Sequence, residues 1–205
     1  MKSLVLIGGG GHCRSCVDVI ESEGRFKIAG IIDNNVHKTS PNLGIPTLGT
    51  DNDLPYILEK YQHAMITIGQ IKSANKRKEL YDVISNLKIN LPIITAKSSV
   101  VSRHSIIGDG SIIMHGAVVN AGASIGRNAI INNMALIEHD VSIGDHCHIS
   151  TGVKINGGVK IGEESFIGSG TIVHHGVTIG NNVVISAGTV ISKDVSDGKT
   201  IGESK

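Results

Sequence analysis

Ten histidines stand in this chain of 205 residues, and seven of them lie beyond residue 100: His104, His115, His139, His146, His148, His174 and His175. A neutral imidazole is well suited to take up a proton near pH 7, so general-base chemistry is the first expectation. A second candidate is Gly8-Gly9-Gly10-Gly11-His12, because glycine turns let backbone N–H groups approach a phosphate at a helix N-terminus. The same run could equally be a tight strand–helix turn without a ligand. Cys13-Arg-Ser-Cys16 has the spacing of a redox or metal motif, but it follows the glycine turn directly, the wrong surroundings for either. No metal is expected.

The elements that position the histidines follow from a repeat. From Val101 to Ile191, sixteen consecutive positions six residues apart are all Ile or Val. Four residues after each comes a small or β-branched residue, from Ser105 to Val195. A helix needs a 3.6-residue period, which unbroken hexads do not supply. The pattern predicts a parallel β-helix. Ile-Gly pairs recur every 18 residues, at 107–108, 125–126, 143–144, 161–162 and 179–180. Three hexads therefore make one coil, and the glycine of each pair is expected to relax the steric limits of a tight corner. His139, Gly157 and His175 fall in one column, with the two histidines two layers and about 10 Å apart. His148 lies half a coil away, on another part of the prism. Neither His139 nor His148 occupies an inward slot, so both should point outward, whereas Cys147 belongs to the core.

Ahead of the repeat, Leu4–Ile7 reads as a buried strand, 14–23 as a helix and Lys27–Ile32 as a strand ending at Asp33. This βαβ unit carries an incomplete dinucleotide pattern: Gly8 and Gly10 fit, but Cys13 takes the third glycine place. Helices are expected over 54–61 and 75–87, and a strand over 64–69 ending at Gly69. The chain thus divides into a Rossmann-like domain, 1–97, and a β-helical domain, 98–205.

Composition agrees. The chain has 26 glycines, no tryptophan and a net charge of +1. Collagen and disorder are excluded by the four prolines and by 40% hydrophobic residues. Balanced charge disfavours nucleic-acid binding. Three cysteines suggest a reducing compartment, no apolar run reaches the length of a membrane span, and a cytoplasmic protein is expected.

The run Ile131-Asn132, Ile137-Glu138-His139-Asp140, Ile143-Gly144 and His148-Ile149-Ser150 resembles bacterial hexapeptide-repeat sugar acetyltransferases. That group includes PglD-type N-acetyltransferases acting on UDP-4-amino sugars and NeuD-type sialic acid O-acetyltransferases. The resemblance spans nearly the whole chain and implies a left-handed β-helix, an acetyl-CoA donor and a homotrimer with active sites between subunits. By this resemblance His139 is the base and Asp140 the carboxylate that raises its basicity. His148 lies near the thioester, the Gly157 N–H holds the thioester carbonyl, and Asn132 lies near the acceptor. Gly10, Gly11, His12, Asp33 and Gly69 would bind the nucleotide or sugar of the acceptor.

A stripe of small residues, including Gly168-Ser169-Gly170 and Ser186-Ala187-Gly188, either leaves a groove for the pantetheine arm or simply suits tight corners. Ser169 and Ala187 are its cofactor-binding candidates. The chain departs from many family members in lacking a Gly-x-Pro-Ala segment after the last coil. N-acetylation of a UDP-linked 4-amino sugar is placed ahead of O-acetylation of a nonulosonic acid and of non-catalytic nucleotide-sugar binding. A β-helical metal hydratase would need a third histidine where Gly180 stands.

Overall fold

The computed structural model describes residues 1–35 and 43–202. The chain opens with β1 (Lys2–Ile7), α1 (Gly11–Glu23) and β2 (Phe26–Ile32), followed by β3 (Thr47–Gly49), α2 (Leu54–Leu58), β4 (Ala64–Ile66) and α3 (Asn75–Asn86). The four strands form a parallel sheet in the order β3-β2-β1-β4. β1 separates two cores because successive side chains of a strand point to opposite faces. Val5 and Ile7 pack with Leu54, Leu58, Leu80 and Ile84 of α2 and α3. Leu4 and Leu6 pack with Val17 and Ile20 of α1, and with Ile94, Ile112 and Ile130 from the repeat. The expected strand over 64–69 is only three residues long, and β3 carried no recognised signal.

From Ile94 the chain winds as a left-handed parallel β-helix of two-residue strands, each pairing with the strand 18 residues on. The ladder begins inside the segment assigned to the first domain, since Ile94 pairs with Ile112. It also passes the last hexad: Val195 bridges to Ile179 and Ile201 pairs with Ile185. Both steps span 16 residues, so the last coil is shorter by two. The Ile and Val positions and the small residues between them fill the axis.

The prism has three faces. On one, Ile94, Ile112, Ile130, His148 and Phe166 point outward and are buried under the first domain; this is the covered face. On the second, the outward positions are Val100, Val118, Leu136, Lys154, Ile172 and Val190. With one exception this face is apolar, although no element of the described residues packs on it; Val100 is 64% and Val190 57% exposed. The third face is polar beyond Ile106, with Ser124, Ser142, Lys160 and Thr178.

The corner glycines relieve a steric limit between coils rather than a torsional one. Gly126 and its equivalents after each Ile do not adopt positive φ. A Cβ on Gly126 would instead stand 2.6 Å from the Gly144 backbone, so these glycines permit close stacking of coils. The left-handed torsion falls three residues after each Ile or Val, at fourteen successive positions from Gly110 to Gly188. Eight are glycine; Asp140 (φ 59°) and His146 (φ 60°) are among the others.

Candidate active site

Two groups of the predicted residues assemble, on the two edges of the apolar face. The first lies at the corner between the apolar and polar faces. The His139 ring leans over Gly157, where a Cβ would stand 2.5 Å from Nε2. Nδ1 of His139 lies 2.9 Å from Asp140 Oδ2. A carboxylate only accepts, so Nδ1 carries the hydrogen and Nε2 of the neutral ring keeps its lone pair. The left-handed backbone at Asp140 gives this residue its place beside the ring. The hydrogen bond to Asp140, with the charges of Asp140 and Glu138, raises the His139 pKa above the ordinary histidine range.

The Gly157 N–H is used by neither the coil ladder nor a side chain among the described residues. At the equivalent turn positions Glu138 takes the His139 N–H and Asn181 takes the Glu163 N–H. His175, the next member of the column, brings its ring centroid to 6.5 Å from that of His139. The rings are closer than the layer spacing predicts: the His139 ring covers Gly157, and His175 Cε1 lies 3.7 Å from the position of a Cβ on Gly158. Glu138, Asn156 and His174 complete this open depression.

The second group lies at the corner between the covered and apolar faces, beneath the C-terminal ends of β1 and β4. A cavity of about 730 Å³ opens there between the two domains. It gathers Gly10, Gly11, His12, Asp33, Gly69, Asn132, His148 and Ser169. Gly8, at φ 103°, makes the turn out of β1; a Cβ there would collide with the Ile68 side chain. Gly10 and Gly11 have no such neighbour, and their Cα atoms face open space at the start of α1. Asp33 accepts the Gly9 N–H and, at 2.6 Å, the Asn35 N–H. It therefore shapes the glycine loop as well as lining the cavity.

His148 is outward on the prism yet buried by the first domain. Its Nδ1 lies 2.8 Å from the Gln70 carbonyl and its Nε2 3.1 Å from Asn132 Nδ2. Its ring packs edge-on against Phe166 at 5.3 Å. Burial lowers the His148 pKa to about 3 and that of His12 to about 4. Both rings are neutral, and His12 Nε2 is buried with no protein partner among the described residues.

Within this chain His148 thus joins the group assigned to the acceptor rather than His139. Ala187 lies exposed at the corner and lines neither site. Sequence reasoning missed Gln70, Phe166 and the Asp51–Lys76 pair (2.8 Å) at the cavity. Phe166 alone had a usable signal, a rare aromatic at an outward strand position. Among the described residues, no group of three or more His, Cys, Asp or Glu could hold a metal ion. No helix of the described residues is long and apolar enough to cross a membrane.

The family model "PglD N-terminal domain" matches residues 3–84. The model "Bacterial transferase hexapeptide (six repeats)" matches residues 104–139, 122–157 and 158–193. No curated protein matches the chain. Among solved structures, the acetyltransferase domain of PglB from Neisseria gonorrhoeae is 30% identical, with a TM-score of 0.90 over 98% of this chain and 96% of that one. The same domain in complex with acetyl coenzyme A is 29% identical, with a TM-score of 0.87 over 97% and 95%. PerB from Caulobacter crescentus, in complex with CoA and GDP-perosamine, is 32% identical, with a TM-score of 0.88 over 96% and 92%. The βαβ glycine turn, the unbroken hexads and likeness along both chains converge: the protein belongs to the hexapeptide-repeat sugar acetyltransferases of the PglD type.

Proposed function

We propose that this acetyltransferase moves the acetyl group of acetyl-CoA to the amine of a nucleotide-linked 4-amino sugar, with a UDP-sugar the first candidate and a GDP-sugar the second. The observation that carries this reading is the His139 dyad: a ring held at Nδ1 by Asp140, with its base nitrogen Nε2 over Gly157, whose N–H is unused among the described residues. Acetyl-CoA supplies an activated acyl carbon. His139 Nε2 takes the proton from the attacking amine, and Asp140 stabilises the imidazolium that forms. The Gly157 N–H is the donor for the oxyanion of the tetrahedral intermediate, whose collapse breaks the C–S bond, leaves the amide and expels the CoA thiolate, which takes the proton from the His139 imidazolium. GDP-perosamine bound to PerB, an amino sugar on a nucleotide, supports an amine acceptor over a nonulosonic hydroxyl.

The interdomain cavity is read as the acceptor site. The open faces of Gly10 and Gly11 leave room for a diphosphate at the start of α1. Asn132, His12 and His148 face the sugar. The stripe through Ser169 and Ala187 is read as the track of the pantetheine arm.

The two groups sit on opposite edges of one apolar face, so neither subunit edge completes a site alone. Packing that face head-to-tail around a threefold axis would set His139 of one protomer against the cavity of the next and bury the Val100–Val190 column. The homotrimer is proposed on this ground. Cys13, Cys16 and Cys147 are free and buried, in keeping with a cytoplasmic setting.

The test is thiol release from acetyl-CoA, with product mass, against a UDP-4-amino sugar, GDP-perosamine and sialic acid. Acetylation of an amino sugar is expected. Transfer only to sialic acid would replace the acceptor assignment, and nucleotide-sugar binding without thiol release would sink the enzymatic one.

A further inference from the structure

Arg77, in the first turn of α3, is 2% exposed. Its partners are all neutral: Gln70 Oε1 at 2.7 Å, the His146 carbonyl at 3.2 Å, and the carbonyl and Oδ1 of Asn128. A buried cation without a carboxylate is costly, and an apolar residue of similar size would dock two domains at lower cost. Docking alone therefore does not account for it.

Its contacts follow the repeat. Asn128, His146 and Glu164 are three stacked left-handed turn residues, 18 apart. None of their carbonyls accepts a coil-to-coil backbone bond. Arg77 takes the first two, and Gln70 Nε2 donates to the third at 3.0 Å. Gln70 is therefore held from both ends of its amide, by Arg77 and by the prism. The Gln70 backbone carbonyl in turn receives His148 Nδ1 at 2.8 Å. A carbonyl only accepts, so His148 must carry its hydrogen on Nδ1 and present the Nε2 lone pair beside Asn132.

We infer that Arg77 and Gln70 are positioning residues for acceptor binding: Arg77 clamps Gln70 to three successive coils, and Gln70 thereby fixes the His148 tautomer that faces the cavity. The binding half of this inference rests on the acceptor reading of the cavity, whereas the tautomer half stands without it. The Arg77 charge also adds to burial in keeping His12 and His148 neutral.

Nitrogen-15 NMR of histidine-labelled protein, with His148 assigned from the His148→Asn variant, reads the tautomer directly. The wild type should show a single Nδ1–H form. Gln70→Ala and Arg77→Met should each give a tautomer mixture. Both should also raise the KM for the accepted amino sugar about tenfold, with kcat and the KM for acetyl-CoA held within about twofold. Arg77→Lys should restore part of the loss. If Arg77→Met does not fold, Gln70→Ala decides. An unchanged His148 tautomer in Gln70→Ala, or equal rises in both KM values, overturns the inference. Should the wild type acetylate no sugar at all, the acceptor reading fails, and the tautomer measurement still decides the clamp.

Discussion

The imidazole of His139 occupies the volume that any side chain at residue 157 would need: a Cβ there would lie 2.5 Å from Nε2 and 2.6 Å from Cε1. Gly157 has no positive φ, so its backbone torsion does not require glycine; the ring above it does. Gly157→Ala should therefore fold normally while pushing the base off its place. A fall in kcat of about 10²-fold is expected, since misplacing a reacting group by about 1 Å costs that much. Melting temperature and steady-state rate, measured together, check it; full activity in Gly157→Ala would contradict the placement of the base.

The dyad predicts a pH profile. Asp140 raises the His139 pKa, and the base works only when deprotonated, so activity should rise with pH through that raised value. Asp140→Asn removes the stabilised imidazolium. The acidic limb of kcat/KM should then move to lower pH, while the plateau falls because the ring is a weaker base. His139→Ala should lower kcat by about 10²–10⁴-fold with CoA binding intact. An acidic limb that stays in place in Asp140→Asn would uncouple the two residues.

Burial of two neutral histidines ties stability to pH. The folded pKa values of His12 and His148, about 4 and about 3, lie below that of an unfolded histidine. As pH falls below about 6.5 the unfolded chain takes up protons that the folded one refuses, so stability present at pH 7 is lost towards pH 4. The loss by pH 5 is on the order of 2 kcal/mol for each ring. Thermal unfolding between pH 7 and 5 should show the slope, and His148→Asn should flatten it. An equal slope in the variant would remove His148 from the account.

The apolar face carries the last prediction. Leu136→Asp should yield monomers by sedimentation and abolish transfer, though Leu136 lines neither the cavity nor the depression at His139. Co-expression of His139→Ala with Asn132→Ala subunits should restore activity, because some junctions would pair an intact base with an intact cavity. No recovery in mixed oligomers would place both groups in a site within one subunit.

How much was legible depends on the part of the chain. In a β-helix each coil spends a fixed 18 residues, so sequence separation converts directly into position around and along the prism. The three faces, the column His139–Gly157–His175 and the inward place of Cys147 could therefore be read without a structure. The same periodicity marked Gly126 and its equivalents as sterically special. Which atoms set that limit, the backbone of the next coil, is a distance that the sequence does not state.

The first domain has no such ruler. Its glycine turn, α1 and β2 were recognisable locally, whereas the side of the prism that it covers was not. That choice belongs to tertiary structure: Leu4, Leu6 and Val17 bury Ile112 and Ile130, and Arg77 and Gln70 bind turn carbonyls that carry no side-chain signal. Docking turns His148 from an outward residue of an open prism into a buried neutral ring in a cavity shared with Gly10, His12 and Asn132. The sequence by itself determined which residues share a column, because the repeat fixes the geometry; only packing of the two domains decided which columns face a cavity and which remain open.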